Sequence, residues 1–208
     1  MKSIIFIMGM ISACGPSELK TDKQKMDTAQ TESPTEAEPV GIITSEDCQQ
    51  IDIGDKACNF RLTDQTGKTW DLYEHSGQVI VLDFSAVWCY PCQLAGDHSQ
   101  TIQDEFQDDG VQMVTVLVDG ATSGLGPTEE EVEYWANSHG ITTAPVLQGS
   151  REKMIDSQVP GATEEPGVTG YLLNAFPTYL YIGRDMKFYA GHVGFSEEYV
   201  RQKIQEGL

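Results

Sequence analysis

Two cysteines with two residues between them are the side chains of this sequence best suited to chemistry. They stand in the run Trp88-Cys89-Tyr90-Pro91-Cys92. An apolar stretch precedes them and a helical pattern follows, which puts Cys89 at a helix N-terminus. Unpaired N–H groups and a partial positive charge gather there, and both favour a thiolate. Cys89 is therefore expected to be the attacking sulfur, with a lowered pKa. Cys92 lies about one helical turn further on, where it can attack a mixed disulfide formed at Cys89. Pro91 falls in the first turn, where a missing N–H is tolerated. The competing use of such a pair is half of a zinc site. A structural zinc wants four ligands in two close pairs. Cys48 and Cys58 are widely spaced and the four His are scattered, so no metal is expected.

The elements that must position this pair can be read around it. Val79 to Ser85 is a nearly continuous apolar run, as expected of a strand covered on both faces. Asp83 interrupts it. A carboxylate there is costly unless paired or protonated. Burial would lift its pKa toward neutrality, which suits proton transfer to or from Cys92. The plainer alternative is a solvated Asp on an open face. Cys89 to Phe106 reads as a helix with Leu94, Ala95, Ile102 and Phe106 on one face. Val111 to Val118 is a second buried strand. Thr128 to His139 is a second helix, with Thr128 as cap, Glu129 to Glu131 at its N-terminus and Gly140 at its end. Tyr134, Trp135 and Leu147 are expected in the core.

Asn59 to Thr63 and Thr69 to Leu72 flank a turn at Asp64-Gln65-Thr66-Gly67-Lys68 and read as a leading hairpin. Tyr179 to Ile182 and Phe188 to Val193 form a closing one. Ser196 caps a last helix. Residues 148–170 carry little regular pattern and are expected to be an insertion or loop. Strands separated by helices imply an α/β sandwich with a mixed sheet.

The chain has 208 residues, 39% of them hydrophobic, which is enough for one domain with a real core. Asp and Glu number 32 against 13 Lys and Arg. Nucleic acid is an unsuitable partner for so acidic a surface. Lys2 and the apolar run Ile4 to Ala13 read as a secretory signal over residues 1–13, well short of the ~20 residues needed to span a bilayer. Residues 14–47 are polar and Pro-containing, and read as a tether that cannot bury enough surface to order itself. The folded domain is expected over residues 48–208.

Ile11-Ser12-Ala13-Cys14 resembles a bacterial lipobox, which implies lipidation of Cys14. The protein would then touch a membrane through its lipid alone, on the periplasmic side. Gly15 after that Cys weakly favours the outer membrane. Removing Cys14 from the five cysteines leaves Cys48 and Cys58 beside the redox pair. They are free to form a structural disulfide, which an exported location would preserve, or to remain two buried thiols.

The stretch Val81-Leu82-Asp83-Phe84-Ser85-Ala86-Val87-Trp88-Cys89-Tyr90-Pro91-Cys92 resembles the active site of the thioredoxin superfamily. Its anchored branch, the TlpA/ResA-like thiol–disulfide oxidoreductases, is the best match, from about residue 55 to 205. The resemblance implies a three-layer α/β/α sandwich with an added N-terminal β-hairpin, no cofactor, and exchange with extracytoplasmic protein thiols. A reductase is the favoured direction. It also implies a membrane or periplasmic partner that recharges the pair. A monomer is expected. Pro177, in Phe176-Pro177-Thr178, corresponds to the cis-proline that faces the redox pair. Phe176 would present its backbone to an extended substrate segment. Trp88, Tyr90 and Pro91 would border the substrate, with Trp88 limiting access. His98 and His192 read as packing or surface residues.

Two other functions compete. A thiol peroxidase would need Thr or Ser three residues before its reactive Cys, and Ala86 stands there. A copper carrier of the metallochaperone type would space its cysteines by three residues, not two.

Overall fold

The structure, a computed structural model, describes residues 41–42, 52–154 and 175–208. The expected signal, Cys14, Cys48 and all of the expected tether except Gly41 and Ile42, which form a short strand, lie outside the described residues. Among the described residues there are eight strands: β1 (Gly41–Ile42), β2 (Phe60–Thr63), β3 (Thr69–Asp71), β4 (Val79–Ala86), β5 (Val111–Asp119), β6 (Val146–Gln148), β7 (Thr178–Ile182) and β8 (Phe188–Val193). The α-helices are α1 (Tyr90–Phe106), α2 (Glu129–Ser138), α3 (Arg151–Met154) and α4 (Glu197–Gly207).

The main sheet has the order β6-β5-β4-β7-β8. β4 runs parallel to β5 and antiparallel to β7. β4 sits in the middle for the reason its composition suggests: all eight of its residues are buried. Such a strand has no face for water, so both its faces and both its edges must be covered. Val79 and Val81 face a core shared with α1, α2 and α4 through Ile102, Trp135 and Ile204. Ile80, Leu82 and Phe84 face the other core, closed by Phe60, Leu62 and Trp70 of the hairpin and by Met154 of α3. The sheet is thus the filling of a sandwich. Helices cover one face. Among the described residues, the hairpin, a 3-10 turn at Leu72–His75 and α3 cover the other.

The local signals act as expected. Asp64 folds the first hairpin by accepting the N–H groups of Thr66 and Lys68, and Gly67 supplies the positive φ that the turn needs. Thr128 and Glu131 form a reciprocal capping box at α2. Ser196 accepts from Tyr199 N–H at the start of α4. Three expectations need correcting. Leu94 is exposed, and the inner face of α1 is Cys92, Ala95, Ser99, Ile102 and Phe106. The 3.6-residue period turns Leu94 outward once Cys92 and Ala95 point in. Tyr134 is 68% exposed, because the buried face of α2 belongs to Val132, Trp135 and Ala136. The stretch 148–170 is not wholly irregular. Gln148 ends β6 and residues 151–154 form α3; residues 155–170 lie outside the described residues.

The core's dependence on β4 has a measurable consequence. Leu82 is fully buried and pairs with Val114 and Leu180 on its two sides. Leu82→Ala should cost about 2–5 kcal/mol in urea unfolding. A loss below about 1 kcal/mol would place this strand outside the core.

Candidate redox site

β4 ends at Ala86, where its pairing with β5 shifts register and Ala86 comes opposite Asp119. The Val87 N–H is taken by the Asp119 carbonyl at 3.0 Å, and the Cys89 N–H by the Ala86 carbonyl at 3.1 Å. These two bonds turn the chain from strand into helix. Cys89 is the N-cap of α1, in an extended conformation, and its sulfur accepts from Cys92 N–H at 3.3 Å. Cys89 and Cys92 are joined in a disulfide, with Cα atoms 5.2 Å apart. Both are buried. The sequence places Cys89 in the helix, and the structure places it at the cap, where the free N–H groups converge.

The Phe176–Pro177 peptide bond is cis. The Phe176 carbonyl oxygen lies 3.6 Å from Cys89 Sγ. Gly194 N–H donates to the Pro177 carbonyl at 2.8 Å, which fixes this segment against the end of β8. The two distant sequence motifs therefore meet. Trp88 is 46% exposed, and its ring lies edge-on to Phe176 with centroids 6.1 Å apart. Tyr90 is 72% exposed. The aromatic side chains of Trp88, Tyr90 and Phe176 thus lie around the pair.

Asp83 is fully buried. By strand alternation it shares the face of Val79 and Val81, which is the face packed against Cys92 and α1. Ser85 Oγ donates to Asp83 Oδ1 at 2.7 Å. Tyr179 is its register partner on β7. The Tyr179 hydroxyl also pulls the carboxyl down, while Oδ2 has no geometrically formed hydrogen bond among the described residues. Burial therefore dominates and lifts the Asp83 carboxyl to about 7, against the opposing pull of Ser85 and Tyr179. Tyr179 itself is held neutral by burial and by Asp83.

His192 is the register partner of Tyr179 on β8 and stacks on its ring at 4.9 Å. Burial pushes His192 down to about 4, against the upward pull of the Gly194 backbone. It packs as the sequence suggests. His98 lies at the surface, paired with Glu197 and against the Phe195 ring. Cys58 is buried, while Cys48, its expected partner, is beyond the described residues. Among the described residues, no group of three or more His, Cys, Asp or Glu is placed to hold a metal ion.

The sequence reading missed two networks. Asp119 accepts from Trp88 Nε1 and from Arg151. His139 links Asp97 and Gln93, and the Gln93 side chain donates to the Val87 carbonyl beside the pair. Both join residues more than 30 positions apart by polar side chains. No local periodicity announces such links.

With this geometry in view, comparison with known proteins gives a consistent result. The AhpC/TSA family matches residues 53–164, more than half of the chain. A thiol-disulfide oxidoreductase ResA of Bacillus thuringiensis is 26% identical over 128 residues, covering 62% of this chain and 67% of that protein. Two solved structures agree, each with a TM-score of 0.56. A candidate thiol:disulfide interchange protein DsbE of Chlorobium tepidum is 28% identical and covers 76% of this chain and 98% of its own. The exposed lipoprotein thioredoxin of Streptococcus pneumoniae is 26% identical and covers 71% and 98%. The chain belongs to the AhpC/TSA family of thioredoxin-fold proteins and, by its redox pair and its relatives, is a thiol–disulfide oxidoreductase.

Proposed function

We propose that this protein reduces disulfides in extracytoplasmic proteins, using Cys89 as nucleophile, Cys92 as resolving thiol and Asp83 as proton carrier. The observation that carries the reading is the redox pair at the α1 N-terminus, facing the Phe176 carbonyl. In the reduced protein, the Cys89 thiolate attacks a substrate disulfide and one substrate thiolate leaves. A mixed disulfide with Cys89 results. Asp83, as carboxylate, takes the proton of the Cys92 thiol. The Cys92 thiolate then attacks Cys89 Sγ, the second substrate thiolate leaves, and the Cys89–Cys92 disulfide is formed. The substrate gains two electrons and the pair loses two. A membrane or periplasmic thiol donor restores it.

Phe176 and Pro177 offer backbone to an extended substrate segment, and Trp88, Tyr90 and Pro91 border it. Cys14 carries a lipid after removal of residues 1–13, and residues 14–47 tether the domain to the outer membrane. The name of the pneumococcal relative, an exposed lipoprotein thioredoxin, supports the lipid anchor. No helix among the described residues is long and apolar enough to cross a membrane. Cys48 and Cys58 form a structural disulfide. A peroxidase reading is disfavoured by Ala86, buried at the end of β4 where a hydroxyl residue would be needed.

Cys92→Ser should accumulate mixed disulfides at Cys89 in cells, visible as adducts on non-reducing gels that reductant releases. Cys89→Ser should lose exchange activity. Full activity in Cys89→Ser, or no adducts above a Cys89→Ser/Cys92→Ser control, would sink the assignment.

Asp83 gives a pH test with a defined sign. Its pKa is raised on folding from about 4 to about 7, so between these values the native state holds a proton that the unfolded chain has lost. Stability from this group is full below pH 4 and falls as pH rises to 7, at about 1.4 kcal/mol per unit. His192, lowered to about 4, has the opposite slope between its native and ordinary values. The diagnostic is therefore a difference. Urea unfolding of the oxidised protein should show Asp83→Asn gaining several kcal/mol relative to the parent between pH 4 and 8. In single-turnover reduction at neutral pH, the same variant should resolve its mixed disulfide about 10²-fold more slowly. A pH-independent difference in stability would refute the buried titrating acid.

A further inference from the structure

Asp119 ends β5 with its side chain wholly buried. A carboxylate so placed must be paired. Arg151 supplies the pairing in a fork: Nε donates to Oδ1 at 2.8 Å and Nη2 to Oδ2 at 2.7 Å. Trp88 Nε1 donates to Oδ2 at 3.1 Å. The guanidinium of Arg151 also lies over the face of Phe176, 5.4 Å from the ring centre. Phe176 in turn meets the Trp88 ring edge-on. These four side chains close a circle beside the redox pair, from Asp119 to Trp88 to Phe176 to Arg151 and back. Arg151 opens α3, whose Met154 is buried in the core between the sheet and the hairpin. The circle is thus tied to the fold at two points, the end of β5 and the seat of α3.

We propose that Arg151, with Asp119, positions the rim that receives peptide substrates: the pair sets Trp88 on one side of the disulfide and Phe176 on the other. This rests on the exchange reading above and gives a purpose to the first turn of the stretch 148–170. Trp88 and Phe176 are far apart in the sequence. Their rings meet in a single edge-on contact, which leaves their relative placement weakly determined. The charged fork removes that freedom. Neither Arg151 nor Asp119 need touch the reacting sulfurs, so both are positioning residues and not catalytic ones.

A positioning role differs from a structural one in what it spares. The test compares kcat/KM of the reduced protein on two disulfides: a disulfide-bridged peptide, which needs the rim, and 2-hydroxyethyl disulfide, a small neutral molecule that does not. In Arg151→Gln, the ratio of peptide to small-disulfide kcat/KM should fall by about ten-fold, mainly through KM for the peptide. Arg151→Lys should recover only part, because an ammonium cannot make the fork. Arg151→Gln/Asp119→Asn removes both charges, so no carboxylate is left buried and unpaired. It should show the same fall in ratio as either single substitution, since the two residues act as one unit. An unchanged ratio in the double variant would overturn the proposal. So would an equal loss of kcat on both substrates. A parent protein inert on both disulfides would instead refute the exchange reading.

Discussion

A strand with no exposed residue dictates the rest of this molecule. β4 buries all eight of its side chains, so it must lie between two strands and between two layers. Its C-terminal end therefore emerges at the centre of the sheet edge, where neighbours on both sides can supply partners. The backbone groups freed there do not go to water. The Asp119 carbonyl takes the Val87 N–H and the Ala86 carbonyl takes that of Cys89. The chain leaves the strand on a fixed path and begins α1 with Cys89 as its cap. The redox pair owes its helix-terminal environment to this exit, since a loosely held strand end would let the cap drift from the N–H groups that favour a thiolate.

The same strand accepts a penalty at Asp83. Its neighbours across three strands are aligned in register: Asp83 on β4, Tyr179 on β7 and His192 on β8. Burial keeps Tyr179 neutral and pushes His192 down to about 4, so neither brings a positive charge to the carboxyl near neutral pH. Only the Ser85 hydroxyl forms a hydrogen bond with it among the described residues. A nearby Lys or Arg would hold Asp83 as a carboxylate and remove the proton-carrier role proposed for it. The file of aromatic rings does the reverse. It supplies packing without charge and leaves the proton affinity of Asp83 to burial. Sites that break a local rule in this way are where function is expected to sit.

Much of this was legible in the sequence because the signals are local. The apolar run at Val79–Ser85, the capping box at Thr128 and the Asp64 turn each declare an element within a few residues. Amphipathic faces were read less well. Leu94 and Tyr134 are apolar or aromatic and sit beside truly buried residues, so periodicity alone did not say which member of each pair faces in. The arrangement around Trp88 was not legible at all. Arg151 lies 32 positions from Asp119 in a stretch without pattern, and a lone arginine there carries no sign of its partner. Phe176 was found only through the proline that follows it, and the ring's place between Trp88 and Arg151 depends on chain geometry that no local spacing encodes.

Exposed apolar side chains sharpen where a partner meets this surface. Trp88, Tyr90 and Leu94 are all exposed around the start of α1. Val193, also exposed, lies beside Gly194, whose N–H holds the Pro177 carbonyl. Trp88, Tyr90 and Leu94 come from the turn and helix that carry the redox pair, and Val193 from the end of β8 next to the cis-proline segment. Scattered singly, such residues would need no explanation; gathered about one site, they favour an extended apolar segment over a charged ligand. The strongly acidic composition, with 32 Asp and Glu to 13 Lys and Arg, keeps the rest of the surface solvated and repels like copies. Charge thus solvates the surface at large, while Trp88, Tyr90 and Leu94 leave exposed apolar side chains at the start of α1.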